Sequence, residues 1–96
     1  MVVELVISKL RAGVAVTDYL EVARNMRAWL ASRPGFVSCE VYVGEPSTFA
    51  HRVVWRTFED AQSASRALAE TEIGWGMSEL VQPEPHTFFG RRIDEP

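Results

Sequence analysis

FVSCEVYVGEPSTFAHRVVWRT, residues 36–57, decides the fold of this chain. From Phe36 to Gly44, Val37, Cys39, Val41 and Val43 fall on one side of an extended backbone, and Ser38, Glu40 and Tyr42 on the other. Phe49 to Thr57 alternates again, with Phe49, His51, Val53 and Trp55 opposed to Ala50, Arg52, Val54 and Arg56. A period of two belongs to strands, because successive side chains of an extended backbone point to opposite faces. Glu45-Pro46-Ser47-Thr48 is a turn, so the stretch predicts a β-hairpin with a loop of about four residues.

Upstream, Val2 to Lys9 is a β-branched and apolar run interrupted only by Glu4 and Ser8, which suits a buried strand. From Val16 the period lengthens. Tyr19, Leu20, Val22, Ala23, Met26, Trp29 and Leu30 recur at steps of three and four, predicting an amphipathic helix. Asp18 with Glu21 has the spacing of a capping box, Thr17 is a rival cap, and Pro34-Gly35 ends the helix. Downstream, Thr57 caps a second helix whose slim stripe is Phe58, Ala61, Ala64, Ser65 and Leu68. Residues 73–77 read as irregular, with at most a short helical turn through Leu80. His86 to Ile93 is expected to be the last strand, and Asp94-Glu95-Pro96 a frayed tail.

The order β-α-β-β-α-β is the ferredoxin-like plan of an α+β domain: a four-stranded antiparallel sheet with two helices on one face. Residues 1–96 show no linker, repeat or low-complexity segment and are read as one domain. The other sheet face, expected to carry valines, calls for a partner, and a second copy of the chain is the natural one.

Composition narrows the function classes. Hydrophobic residues make up 47% and charged ones 24%, as in ordinary globular proteins. A formal net charge of −3 argues against nucleic acid as main partner, and no apolar run approaches a membrane span. There is no signal-peptide pattern, so a cytoplasmic protein is expected. The single cysteine, Cys39, excludes an intramolecular disulfide and reads as a small buried hydrophobe. No phosphate-binding glycine loop, nucleophile elbow or Ser/His/Asp set is present, and the spacing of His51 and His86 matches no ligand motif. No metal and no cofactor are therefore expected.

The turn Arg33-Pro34-Gly35-Phe36-Val37-Ser38 and the junction Val54-Trp55-Arg56-Thr57-Phe58-Glu59-Asp60-Ala61 resemble features of the dimeric α+β barrel superfamily, in particular its antibiotic-biosynthesis-monooxygenase-type domains. The resemblance spans nearly the whole chain and implies a homodimer of stacked sheets. It also implies cofactor-independent oxygenase chemistry on small apolar or aromatic molecules. Trp55 is similar to the tryptophan lining the pocket in the haem-degrading branch. That branch also has an asparagine on the first strand and a haem-ligating histidine on the second helix. Here the first strand offers Glu4 and Ser8, and residues 58–70 contain no histidine, which sets haem degradation aside.

Few residues are candidates for chemistry. His51 and Trp55 lie four apart on one strand and share a face. If that face meets the helices, Trp55 lines a pocket and His51 serves as general base for an acidic phenol or enol. Otherwise His51 is a solvated residue near the hairpin loop, the preferred reading in the absence of a visible partner. Glu4, flanked by Val3 and Leu5, is expected to be a buried charge paired with an arginine, or else a pocket carboxylate of raised pKa. Tyr42, Trp29 and Trp75 are candidates for pocket walls, Trp75 between Gly74 and Gly76 being either a lid or an anchor. His86 opens the last strand, where a hydrogen bond across a subunit interface is at least as much expected as a catalytic role. Two readings stand: a cofactor-independent monooxygenase or related oxidoreductase, or a non-catalytic ligand-binding or stress-associated dimer.

Overall fold

Val2–Lys9 (β1), Phe36–Gly44 (β2), Thr48–Trp55 (β3) and His86–Gly90 (β4) pair into one antiparallel sheet, in the computed structural model that describes residues 1–94. The strand order is β2-β3-β1-β4. The decisive hairpin forms as the alternation requires, with Gly44 opposite Thr48 and Cys39 opposite Val53. A register shift between Phe36 and Ser38 marks a bulge where the chain enters from the Pro34-Gly35 turn. The last strand is shorter than expected and stops at Gly90, which pairs with Val3. Beyond that point β1 has almost no backbone left to offer. Of the expected frayed tail, Glu95 and Pro96 lie outside the described residues.

Three helices cover one face, where two were expected: Val16–Ala31 (α1), Phe58–Leu68 (α2) and Glu72–Leu80 (α3). α1 buries Tyr19, Ala23, Met26 and Leu30, the stripe that the spacing indicated. Its N-cap is Ala15, which makes no side-chain capping bond, so Thr17 and Asp18 lie inside the first turn rather than capping it. Asp18 there still favours the positive end of the helix dipole. Gly35 ends the connection at φ +82°, and a Cβ on it would collide with the Asp60 side chain, so no larger residue fits. α2 starts as anticipated, with Thr57 Oγ1 accepting from the Asp60 N–H at 3.1 Å.

α3 replaces the expected irregular segment. Thr71 caps it, its Oγ1 accepting from the Gly74 N–H at 3.1 Å, and the Trp75 indole donates to the Ala69 carbonyl at 2.9 Å. These bonds tie α3 to the end of α2 and outweigh the poor helix propensity of Gly74 and Gly76. The chain leaving α3 is pinned to the end of β1 by Arg11 N–H to Leu80 O and Gln82 N–H to Lys9 O, at 2.9 and 2.7 Å.

The apolar interior falls into two clusters. One gathers Met26, Leu30, Cys39, Val53, Trp55, Ala61 and Ala64; the other gathers Leu10, Tyr19, Ala23, Phe49 and Val81. Met77 of α3 packs against both. Strand register carries Val2, Glu4, Val6 and Ser8 of β1 to the covered face, together with Phe49, His51, Val53 and Trp55 of β3. Val41 and Val43 of β2 share that face. The open face carries the valines Val3 and Val54 together with Leu5, Ile7, Glu40, Tyr42, Arg52 and Phe88.

Candidate active site

The seam between the two clusters holds a cavity of about 230 Å³ between sheet and helices. Its floor is the covered face of three strands: Glu4, Val6 and Ser8, then His51, Val53 and Trp55, then Thr87. Tyr19, Met26 and Leu30 of α1, Leu68 of α2 and Met77 of α3 roof it. Most of this surface is apolar, so the few polar groups fix how a ligand is oriented.

His51 sits mid-floor, only 4% exposed, because Val6 opposite it and α1 above it exclude water. The solvated reading of this residue is therefore corrected. Its Nε2 is hydrogen-bonded to the Tyr19 hydroxyl, and its buried Nδ1 has no partner among the described residues. Burial pushes the imidazole pKa down to about 4, so the ring is neutral at physiological pH and one nitrogen is an acceptor. Tyr19 is fully buried and stacked on Phe49 with ring centroids 4.0 Å apart. Burial pushes its phenol up to about 12, against a smaller opposing effect of a hydrogen bond with Ser8.

Glu4 accepts a hydrogen bond from Trp55 Nε1 at 3.0 Å. Of the arginines considered as its partner, Arg52, Arg56, Arg91 and Arg92, the first projects from the open face and bonds Glu40 at 2.9 Å. Glu4 points to the covered face, where the indole N–H is its donor. Burial raises the carboxyl pKa, and the Trp55 bond opposes that only in part. Glu4 stands directly opposite Val53, which puts it on a diagonal from His51 across the same floor.

The other candidates lie away from this cavity. Tyr42 is on the open face, 51% exposed, since the alternation of β2 turns it from the helices. Trp29 packs at the margin of the Trp55 cluster with the Arg33 guanidinium 4.9 Å above its ring. Trp75 is anchored outside by its bond to Ala69 and does not line the cavity. His86 is exposed at the start of β4 and lines an outer cleft with Ile7, Ser8, Lys9, Thr48 and residues 82–85. Cys39 is buried, which raises its thiol pKa and makes it a poor nucleophile. Among the described residues no group of three or more His, Cys, Asp and Glu converges as a metal site would.

Two site residues escaped the sequence reading. Tyr19 was indistinguishable from a core stripe. Ser8 looked like a mere interruption, although its spacing of four from Glu4 places both on one strand face, as it does His51 and Trp55.

No family model matches the chain, and no curated protein matches it in sequence. Solved structures do. An Asn-to-Ala mutant of SnoaB, a cofactor-independent oxygenase from Streptomyces nogalater, superposes with a TM-score of 0.84 at 14% identity, over 98% of this chain and 94% of that one. A provisionally named antibiotic biosynthesis monooxygenase from Bordetella bronchiseptica gives 0.82 at 15% identity, over 96% of each chain. Rv0793 from Mycobacterium tuberculosis gives 0.73 at 11% identity, over 99% and 98%. The chain thus shares the ferredoxin-like α+β fold of these solved structures.

Proposed function

We propose that this chain is a cofactor-independent monooxygenase acting on a small, largely apolar aromatic molecule that carries an acidic phenol or enol. The observation that carries the reading is the neutral, buried His51 with an unpartnered nitrogen on the floor of an apolar cavity. The fold shared with an oxygenase that works without a cofactor supports it. His51 takes the substrate proton, and the cavity keeps water from the resulting anion. That anion passes an electron to dioxygen, the radical pair combines into a C–O bond, and the proton held by His51 returns to the peroxide anion to give the hydroperoxide. Loss of water from the hydroperoxide leaves a carbonyl, with one oxygen atom retained and one released as water. Trp55 supplies a flat wall for the ring, and its bond fixes Glu4.

The open sheet face supports a homodimer. Ile7, Tyr42 and Phe88 are 42%, 51% and 54% exposed there, apolar area that a second copy would cover. Among the described residues no helix is long and apolar enough to cross a membrane. A cytoplasmic, soluble enzyme agrees with an unpaired cysteine.

The test is titration with hydroxylated naphthalenes while following tryptophan emission, in parallel with oxygen uptake. Quenching that disappears in Trp55→Phe places the ligand beside Trp55, and oxygen consumption lost in His51→Gln establishes turnover. Quenching without oxygen uptake across a panel of oxidisable phenols would favour the binding-module reading. Neither quenching nor uptake would reject the cavity as the site.

A further inference from the structure

One polar group of the cavity floor takes no part in the proposed reaction. Glu4 interrupts the apolar row of Val2 and Val6 on the covered face of β1. Its half-buried carboxylate can accept several hydrogen bonds, yet it receives one, from the Trp55 indole to Oε1 at 3.0 Å. Trp55 is fully buried, so that bond holds the carboxylate in place. The second oxygen has no partner among the described residues, although Glu4 lines the cavity. Taking such an acceptor out of water costs free energy, and a ligand that donates to it would recover the loss. His51 stands in the same position, 4% exposed and with Nδ1 unpartnered among the described residues. The apolar floor therefore presents two acceptors, and a carboxylate can be nothing else.

Their spacing selects the ligand. Glu4 pairs with Val53 and Val6 with His51 in an antiparallel ladder, so Glu4 and His51 are diagonal neighbours, about 7–8 Å apart and somewhat less between Cβ atoms. Two hydroxyls on adjacent ring carbons lie too close together to meet both groups; hydroxyls on distant carbons can. The cavity of about 230 Å³ is smaller than the roughly 300–1,000 Å³ that drug-sized ligands occupy, which limits the molecule to one or two rings. We propose that Glu4 is a specificity-determining residue of this cavity, accepting a second, non-adjacent hydroxyl of a one- or two-ring aromatic substrate whose acidic hydroxyl meets His51. The proposal rests on the reading of His51 as proton acceptor and names the substrate class of that same site. The hydroxyl on Glu4 keeps its proton, so no bond breaks there. It also occupies the carboxylate that would otherwise face bare the anion formed at His51. An ether oxygen in its place sets acceptor against acceptor and is rejected.

Isothermal titration calorimetry under argon, where nothing turns over, tests the assignment with 2-naphthol, 2,7-dihydroxynaphthalene and 7-methoxy-2-naphthol. In the unmodified protein the diol should bind about tenfold more tightly than 2-naphthol, the increment of one hydrogen bond to a charged group, and the methyl ether more weakly than 2-naphthol. The adjacent diol, 2,3-dihydroxynaphthalene, should gain nothing. In Glu4→Gln the amide oxygen keeps the indole and the NH2 group faces the cavity. The advantage of the diol should then vanish, and the methyl ether should bind as well as the diol. A diol no tighter than 2-naphthol in the unmodified protein, or a preference that survives in Glu4→Gln, would overturn the role of Glu4 and leave His51 and the cavity standing. Equal weakening of every probe in Glu4→Gln would also overturn it, since Glu4 would then act only by holding Trp55. If none of the probes binds the unmodified protein, the proposed function falls, and the role of Glu4 with it.

Discussion

The two faces of this one sheet obey opposite rules. On the covered face Trp55, Phe49, Val53 and His51 are all less than 5% exposed, and the polar atoms that meet a partner do so within the protein. On the open face Arg52 and Glu40 pair at 2.9 Å while 39% and 53% exposed, beside the half-exposed rings of Tyr42 and Phe88. Surface pairs of that kind contribute at most about 1 kcal/mol, because water would solvate either ion nearly as well. Buried polar groups have no such refuge. That Glu4, Ser8 and His51 nevertheless share the covered face, around one cavity, is what separates a site from a core.

The comparison can be broken most forcefully at Trp55. Trp55→Ala should cost about 3–5 kcal/mol in urea denaturation, since it empties the centre of one cluster and strips Glu4 of its donor. Tyr42→Ala on the open face should cost less than about 1 kcal/mol at a concentration where the protein is monomeric. Comparable losses at the two positions would mean the faces are not distinct.

Acid should sharpen the contrast. The folded pKa of His51 lies at about 4, below the ordinary value of 6.5, so the unfolded chain binds its proton first. Stability from this group is therefore complete above pH 6.5 and is lost as pH falls toward 4, by roughly 3 kcal/mol at most. Unfolding curves of His51→Gln should lack that slope. Glu4 has the opposite sign: its raised pKa favours the fold below the ordinary value of 4.5 and withdraws that support as pH rises through the folded value. Glu4→Gln, which keeps an acceptor for the Trp55 indole, should stabilise at neutral and alkaline pH. Below pH 4.5 it should change little.

The smallest effect on the fold is expected at Phe88. Phe88→Asp should leave the circular dichroism spectrum intact and act on association alone, converting a dimer in native mass spectrometry to a monomer. A dimer that persists would move the interface off the open face.

How far the chain could be read without its structure differs between these elements for physical reasons. Alternation from Phe36 to Trp55, the stripe Tyr19/Ala23/Met26/Leu30 and the Thr57 cap are local patterns, and local geometry produces them. α3 was illegible because Gly74 and Gly76 oppose a helix, and it is the capping bond of Thr71 and the reach of Trp75 to Ala69 that hold it. Trp55 and His51 could be paired by spacing, whereas Tyr19 could not be told from core, since its hydroxyl meets His51 across 32 residues of chain. The amino-acid order by itself determined strands, two helices, their sequence and the shared face of His51 with Trp55, all consequences of backbone periodicity. Only the tertiary structure decided which sheet face the helices cover. That choice gave Glu4 an indole instead of an arginine and buried His51 against Tyr19, because hydrogen-bond partners are set by distance in space and not by distance along the chain.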